Sequence, residues 1–153
     1  FGEKHTVAQG NCGSYTHFGV HRYAYDIIME VNTPVIAARA GSVIEIKEDL
    51  SDGQGCPEAN HVSIEHHDGS VADYYHLTKD GALVSKGQYV IQGDVIGMSG
   101  NTGCSGGPHL HFVVWDNKNR NDSRAISFRN AANERGLAAN AEYTPSQPYL
   151  ERF

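Results

Sequence analysis

Short runs rich in valine, isoleucine and tyrosine, separated by glycines, dominate this sequence. The 153 residues include 17 glycines, and no long amphipathic helical pattern occurs among them. β-Branched and aromatic residues favour strands, and glycine-bearing junctions favour tight turns. The pattern therefore predicts a mainly β protein with mostly antiparallel strands. We expect strands at Val35–Ala38, Ser42–Ile46, Val62–His66, Val71–His76, Tyr89–Val90, Val95–Met98 and Leu110–Trp115.

The segments between these runs divide into tight turns and long loops. Arg39-Ala40-Gly41 separates the first two runs, and Asp68-Gly69 lies between the third and the fourth, where it is a strong hairpin signal. Two polar, glycine-bearing loops, Glu48–Asn60 and Ser99–Pro108, are long enough to do more than close a hairpin. Loops of this size often form the walls of a groove.

Nothing in the sequence divides the chain into several domains. It has no internal repeat, low-complexity tract or Pro/Ser-rich linker, so we predict a single domain over residues 1–153 with its core at about 10–116. From Asn117 onward the sequence becomes polar and weakly patterned. Residues 117–153 are expected to form a C-terminal extension packed on the core, with a short helix near Arg129–Leu137.

Charge and hydropathy exclude two classes of partner. Lys and Arg total 12 against 18 Asp and Glu, for a net charge of -6, so a cationic surface for nucleic acid is not expected. The longest apolar runs span a few residues, far below the roughly 20 needed to cross a bilayer. Because residue 1 is Phe and no signal-like segment follows, a targeting segment is expected to have been removed upstream.

Nine histidines are the clearest oddity of composition. His109 and His111 flank Leu110 in a predicted strand, so both imidazoles lie on one face, about 7 Å apart. That spacing allows one ring to bind a metal while the other handles a nearby water. An isolated pair of this kind is more typical of surface histidines on an edge strand than of a metal site. The sequence before His109 decides between these two interpretations.

The string GNTGCSGGPHLHF at residues 100–112 resembles the signature of the lysostaphin-type zinc metallopeptidases, the LytM-like peptidoglycan endopeptidases. The similarity extends upstream in family order and covers roughly residues 10–115. It includes Thr33–Ala38, Gly41–Val43, Asn60–His66 with Asp68-Gly69, and Tyr75–Leu77. The fold that this resemblance implies is a compact antiparallel β-sheet with an active-site groove walled by loops.

The resemblance implies one zinc ion per chain, held by His17, Asp26 and His111, with a position left for water. Two histidines are candidates for the first ligand. Eight residues separate His17 from Asp26 and four separate His21 from Asp26, and neither spacing is the commonest one in the family. His17 is preferred, since Gly13-Ser14-Tyr15-Thr16-His17 resembles the expanded loop of some members. His21 would then be a loop histidine at the mouth of the groove.

The same resemblance gives His109 and His76 catalytic roles. His109 is the natural general base, and His76 is expected to stabilise the oxyanion or pass a proton to the leaving amine, although their division of labour stays open. The other histidines receive no role: His5, His61, and the pair His66 and His67, which are expected in a solvated turn.

The three cysteines form no CxxC pair, which disfavours a zinc finger or a thioredoxin-like dithiol. One disulfide plus one thiol, or three unpaired thiols, are both compatible with the sequence. Because Cys104 lies in the signature loop, a disulfide to Cys12 or Cys56 would brace the groove wall.

The leading functional prediction is a zinc-dependent endopeptidase that hydrolyses peptide bonds in the stem or cross-bridge of bacterial peptidoglycan, in the periplasm, at the cell surface or as a secreted enzyme. The alternative is a catalytically silent cell-wall binding or hydrolase-activating module of the same family, which would usually lack one of the five site residues. A cupin-type metal site is disfavoured, because no Glu follows His111 at the required distance. The cleaved bond and the oligomeric state are open.

Overall fold

A computed structural model of the protein describes residues 4–56, 58–128 and 137–143. Within these residues the backbone forms eleven β-strands and one short 3₁₀ helix, Gly19–His21. The strands are β1 (His5–Gln9), β2 (Tyr25–Ile28), β3 (Pro34–Ile36), β4 (Gly41–Lys47), β5 (His61–Glu65), β6 (Val71–Tyr75), β7 (Leu77–Ala82), β8 (Tyr89–Val90), β9 (Val95–Ser99), β10 (His109–Trp115) and β11 (Glu142–Tyr143).

These strands form two antiparallel sheets. The larger has eight strands in the order β11-β1-β2-β10-β6-β5-β4-β8, and the smaller has three in the order β3-β9-β7. The predicted mainly β, antiparallel fold class is therefore confirmed. No helix in the described parts of the chain has the length and apolar composition needed to cross a bilayer.

Side-chain alternation along the central strands gives the large sheet two different faces. In β10, Leu110, Phe112 and Val114 point into the main hydrophobic core, which also contains residues of the smaller sheet. The alternate residues, His109, His111, Val113 and Trp115, face the other way. The predicted orientation of the two histidines against Leu110 follows the same alternation.

The second face carries a row of polar and aromatic side chains at paired positions of four strands. Asp26 on β2 pairs with His111 on β10, which pairs with Tyr75 on β6, which pairs with His61 on β5. A shift of one residue in any of these pairings would turn that strand's contribution into the core. Burial of the opposite face therefore fixes the position of this row.

The hairpin between β5 and β6 forms at Asp68-Gly69 as predicted. The His66 amide donates to the Ser70 carbonyl at 2.8 Å, and Asp68 Oδ1 accepts from the Ser70 amide at 3.2 Å. The expectation of a solvated turn is wrong for His66, which exposes only 5% of its surface, and holds for His67, which is exposed. The buried ring of His66 is satisfied by a hydrogen bond, in which its Nδ1 donates to the Ala40 carbonyl, 2.9 Å away in the turn before β4.

Four strands were not expected from the sequence: β1, β2, β7 and β11. The runs on either side of the Arg39–Gly41 turn do form strands, but β3 belongs to the small sheet and β4 to the large one. The helix expected near Arg129–Leu137 falls on residues 129–136, outside the described residues, whereas Leu137 is buried in the main core. The boundary between a core and a C-terminal extension stays a prediction.

The two long loops are joined to each other. Cys56 forms a disulfide with Cys104, and Cys12 keeps a free thiol. The Asn60 amide donates to Thr102 Oγ1 at 3.1 Å. A Cβ at Gly103, which has a φ of +73°, would meet Ala59 at 2.6 Å, so the close approach of the loops requires glycine there.

Candidate metal centre

The pairing of β2 with β10 brings Asp26 and His111 together on the polar face of the large sheet. The two residues are register partners, and His111 Nδ1 donates to Asp26 Oδ1 at 2.7 Å. Each side chain is 13% exposed. A carboxylate and an imidazole that are 85 positions apart in sequence thus form a close pair in the folded chain.

His17 completes the group from the loop between β1 and β2. Its Nδ1 donates to the Gly10 carbonyl at 2.9 Å, and its Nε2 lies 3.1 Å from Asp26 Oδ1. With the proton of the neutral ring on Nδ1, Nε2 presents a lone pair toward a carboxylate oxygen, which is itself an acceptor. This Nε2 is buried and has no hydrogen-bond partner. A cation between the two atoms would remove that repulsion.

The donor set fits a zinc ion. One ligand atom from each of His17, Asp26 and His111 lies within 4.8 Å of the others, and the described residues contain no second group of this kind. Two imidazole nitrogens and one carboxylate oxygen match the ligands that zinc accepts in sites that keep one position open. Burial raises the pKa of Asp26, but the hydrogen bond from His111 and the adjacent His17 outweigh burial and bring that pKa well below its ordinary value, so the carboxylate stays ionised.

His21, the alternative first ligand, lies in the 3₁₀ helix beside this group and is not part of it. Its ring packs edge-on against Trp115, with centroids 5.0 Å apart, and lies 5.5 Å from the ring of His111. Burial, followed by the nearby His111, lowers the pKa of His21. The structure thus assembles His17, rather than His21, with Asp26 and His111.

His76 and His109 lie next to this group, with ring centroids 4.5 Å apart. His76 Nδ1 donates to the Thr102 carbonyl at 2.6 Å, and His109 Nδ1 donates to the Gly107 carbonyl at 2.8 Å. Backbone carbonyls of the 99–108 loop therefore orient both rings and leave each Nε2 as the acceptor of the neutral form. His109 Nε2 lies 3.7 Å from Asp26 Oδ1.

The environment of His76 keeps its imidazole neutral at pH 7. The residue directly follows β6, has a φ of +66°, and is 9% exposed. Burial, reinforced by the nearby His109, lowers the pKa of His76 to about 4. At neutral pH, His76 can therefore accept a proton at Nε2 but has none there to give.

A second carboxylate, Asp73, lies on the same face of the sheet. Its side chain is fully buried and accepts hydrogen bonds from Trp115 Nε1 at 2.7 Å, Arg120 Nε at 2.7 Å and the Tyr75 hydroxyl at 3.0 Å. Arg120 also bonds Glu45 at 2.8 Å. This network was not predicted from the sequence, although a charged residue within the apolar β6 run was a signal that could have indicated Asp73.

Tyr75 connects the two carboxylate clusters. Its ring lies 5.8 Å from that of His111 and 5.0 Å from that of His61. Burial, followed by the negative charge of Asp73, raises the pKa of Tyr75, so its hydroxyl stays protonated and donates to Asp73. Its neighbour Tyr74 points into the opposite face, where its hydroxyl accepts from the Ala38 amide at 2.8 Å.

An antiparallel β-sheet that presents a candidate metal site of two histidines and one aspartate defines the class of protein, and comparison with known proteins identifies the family. The family model described as Peptidase family M23 matches residues 20–123, so the chain belongs to Peptidase family M23. This membership confirms the family that the sequence signature indicates.

Individual relatives agree with this membership. The peptidoglycan DD-endopeptidase ShyA of Vibrio cholerae is 40% identical over 89 residues, which are 58% of this chain and 19% of the relative. The solved structure of lysostaphin from Staphylococcus simulans superimposes with a TM-score of 0.61 at 28% identity, covering 78% of this chain and 46% of that one. A zinc-containing peptidase from Vibrio cholerae gives a TM-score of 0.59 at 30% identity over 78% of this chain and 35% of that one.

Proposed function

We propose that this chain is a zinc-dependent endopeptidase that hydrolyses peptide bonds in bacterial peptidoglycan. The observation that carries the proposal is the convergence of His17 Nε2 and His111 Nδ1 on Asp26 Oδ1, beside two imidazoles that are oriented by backbone carbonyls. The chain spans 19% of the length of ShyA, whose name describes a peptidoglycan DD-endopeptidase, and that name supports the same substrate class for this chain.

His17, Asp26 and His111 would hold one zinc ion. When bound, zinc lowers the pKa of water and polarises a carbonyl group, which is the chemistry that hydrolysis of a peptide bond requires. The chain orients each ligand beforehand: the Gly10 carbonyl fixes His17, and the pairing of β2 with β10 fixes Asp26 opposite His111.

We assign His109 the role of general base. Its Nδ1 proton is engaged by the Gly107 carbonyl, so its Nε2 accepts a proton, 3.7 Å from the ligand oxygen of Asp26. The ring that gains this proton becomes a donor for the leaving amine. His76 is neutral at pH 7 and lies beside His109, so we assign it to proton transfer or to the developing oxyanion once its Nε2 is protonated.

The proposed substrate implies an extracytoplasmic location, because peptidoglycan lies outside the cytoplasm. The disulfide between Cys56 and Cys104 supports this, since disulfides persist mainly in oxidising compartments. The chain would act as a periplasmic, cell-surface or secreted enzyme.

Digestion of purified peptidoglycan tests the proposal. The zinc-loaded protein should release new amino groups and no new reducing ends, and a chelator should stop the reaction. His109→Gln should keep zinc and lose about 100-fold or more in rate, because a general base contributes about 10²–10⁴-fold. His67→Gln is the matched control, since His67 is exposed in the β5–β6 turn. A protein that binds stoichiometric zinc and the polymer but releases no amino groups would overturn the proposal in favour of a hydrolase-activating module.

A pair of histidine variants tests the first ligand. His17→Ala should empty the site, whereas His21→Ala should keep its zinc. If His21→Ala loses the metal and His17→Ala retains it, the assignment of the first ligand is wrong.

A further inference from the structure

We infer that Gln9 is a positioning residue for this metal site: its amide fixes the orientation of Asp26 and locks the loop that carries His17. The inference rests on the proposed zinc site and adds a residue that has no place in the ligand set or the histidine pair. It concerns the metal-free arrangement, in which the chain alone must hold the ligands in place.

The amide of Gln9 uses its full hydrogen-bonding capacity between two parts of the site. Gln9 ends β1 and is the register partner of Asp26 on β2. Its Nε2 donates to Asp26 Oδ2 at 3.0 Å and to Thr16 Oγ1 at 2.7 Å. Its Oε1 accepts from the amides of Tyr15 at 3.0 Å and Thr16 at 3.1 Å. A glutamine amide offers two donors and two acceptor lone pairs, and all four are engaged.

These contacts give the two oxygens of Asp26 different environments. Oδ2 is occupied by Gln9, whereas Oδ1 faces His17 and His111. The carboxylate is therefore held with one oxygen directed at the imidazoles. Groups that hydrogen-bond a ligand from behind commonly fix its orientation and contribute to metal affinity.

The loop that carries His17 has little other support at its tip. Tyr15 is 85% exposed and Thr16 is also exposed, so hydrophobic burial holds neither of them. Thr16 directly precedes His17, and three of the four hydrogen bonds of Gln9 end on Tyr15 or Thr16. Gln9 therefore fixes the chain immediately before the ligand, while the Gly10 carbonyl fixes the His17 ring itself.

Gly13 supplies independent evidence that the loop is built around this side chain. A Cβ at residue 13 would lie 2.3 Å from Gln9 Cγ and 2.7 Å from Gln9 Oε1. Gly13 is not among the residues with a positive φ, so space rather than backbone conformation is its constraint. An alanine at position 13 would displace the Gln9 side chain without changing its chemistry.

Zinc affinity of the metal-free protein, measured by competition with a chromogenic chelator, tests the inference without relying on activity. Gln9→Ala should weaken zinc binding about 10- to 100-fold, the usual effect of losing a group that orients a ligand. Gly13→Ala should weaken it in the same direction. The double variant should bind zinc no more weakly than Gln9→Ala, because both changes remove one contact and the shortened side chain at position 9 leaves room for the new methyl group.

A spectroscopic measurement separates orientation of the ligand from general stability. The visible absorption of the Co²⁺-loaded protein should change in Gln9→Ala, because Asp26 Oδ2 is released. Gln88→Ala is the matched control: it removes a glutamine oxygen that accepts from the Ser85 amide at 3.0 Å, at a turn that contributes nothing to the metal site. It should keep the parent affinity and spectrum.

Asp26→Ala separates failure of this inference from failure of the proposed site. If Asp26→Ala loses zinc while Gln9→Ala binds it within about twofold of the parent, well below the loss expected for an orienting group, Gln9 does not position the ligands. Losses that add fully in the double variant would also overturn the inference. If Asp26→Ala retains stoichiometric zinc, the proposed metal site itself is wrong.

Discussion

Two carboxylates with little solvent exposure lie on the same face of the large sheet, and their partners differ in charge. Asp73 bonds the guanidinium of Arg120 at 2.7 Å, so the chain supplies its own cation. Asp26 accepts hydrogen bonds from the ring of His111 and from the uncharged amide of Gln9. A buried carboxylate requires a compensating charge or a full set of hydrogen bonds. At Asp26 the proposed zinc ion would supply this charge from solution.

The two clusters also differ in how tightly their partners are held. Asp73 has three donor side chains and its own side chain is fully buried, while Asp26 remains 13% exposed. The hydrogen bond to Asp73 raises the pKa of Arg120 and outweighs burial, which lowers it, so the guanidinium stays charged. Asp73 and Arg120 thus form an ion pair within the chain, whereas Asp26 lies in the candidate metal site and keeps some contact with solvent.

Removal of the Asp26 carboxylate should have the largest effect. Asp26→Ala is expected to weaken zinc binding about 1000-fold, because roughly 10–16 kcal/mol of zinc binding energy is shared among three or four ligands. Chelator competition measures the loss. If this variant keeps zinc with the parent affinity, Asp26 is not a zinc ligand and its contrast with Asp73 is wrong.

Loss of the internal cation should affect stability instead of zinc. Arg120→Met is expected to lower the free energy of unfolding by about 3–5 kcal/mol, because it leaves Asp73 as a buried charge without its cation. Urea denaturation of the metal-free protein measures this, and the folded variant should bind zinc as the parent does. Arg124→Met is the control, since Arg124 is 42% exposed and its pairs with Asp116 and Asp68 should contribute less than about 1 kcal/mol. Equal losses in both variants would contradict the assignment.

Acid should lower the stability of the fold through the buried histidine His76. The pKa of His76 is about 4 in the folded chain against an ordinary 6.5, so the unfolded chain binds more protons between these values. The contribution of His76 to the free energy of unfolding is therefore fully present above pH 6.5 and is lost as the pH drops toward 4. The loss is on the order of 3 kcal/mol. His21 and His66, whose pKa values are also lowered, act in the same direction.

The matched experiment for this pH dependence compares the parent with His76→Gln in urea, with chelator present, at about pH 7.5, 6 and 5, which bracket the ordinary pKa of histidine. The variant should lose stability less steeply on acidification. Parallel curves for the two proteins would show that His76 does not carry the effect.

The smallest effect is expected from an exposed pair near the metal-site loop. Arg22 and Asp122 bond at 2.8 Å, and both side chains are 46% exposed. Arg22→Gln should lower the free energy of unfolding by no more than about 1 kcal/mol, and the difference should shrink in about 1 M salt. A larger loss that persists in high salt would show that this exposed pair stabilises the fold as strongly as the pair of Asp73 and Arg120.

Local sequence patterns predicted much of the fold. Alternation at residues 109–115 placed the histidines opposite Leu110, and Asp68-Gly69 marked the hairpin, because both signals act over a few residues. β1 and β7 were missed because HTVAQ and LTKDGA mix polar and apolar residues without a clear period. The partners of Asp73 were inaccessible for a different reason, since Arg120 lies 47 positions away and only tertiary structure joins them.

The candidate site depended on the family resemblance more than on local pattern. The structure brings His17, Asp26 and His111 together as that resemblance implied, while their role in holding zinc stays a prediction. Gln9 was not predicted as a site residue, because a glutamine at the end of a short strand has no distinctive sequence pattern. Its contacts depend on a loop that returns to it from residues 13–16.

The position of β10 has a consequence for the order in which this chain folds. β10 is the tenth of the eleven strands in the described part of the chain, yet it lies between β2 and β6 and bonds both. During synthesis, β2 and β6 therefore emerge long before the strand that joins them, and each keeps an unpaired edge until residues 109–115 leave the ribosome. Unpaired edges invite association with other chains. A nascent chain that stops before His109 would lack the strand that joins β2 to β6, and it would also lack His109 and His111 of the candidate site.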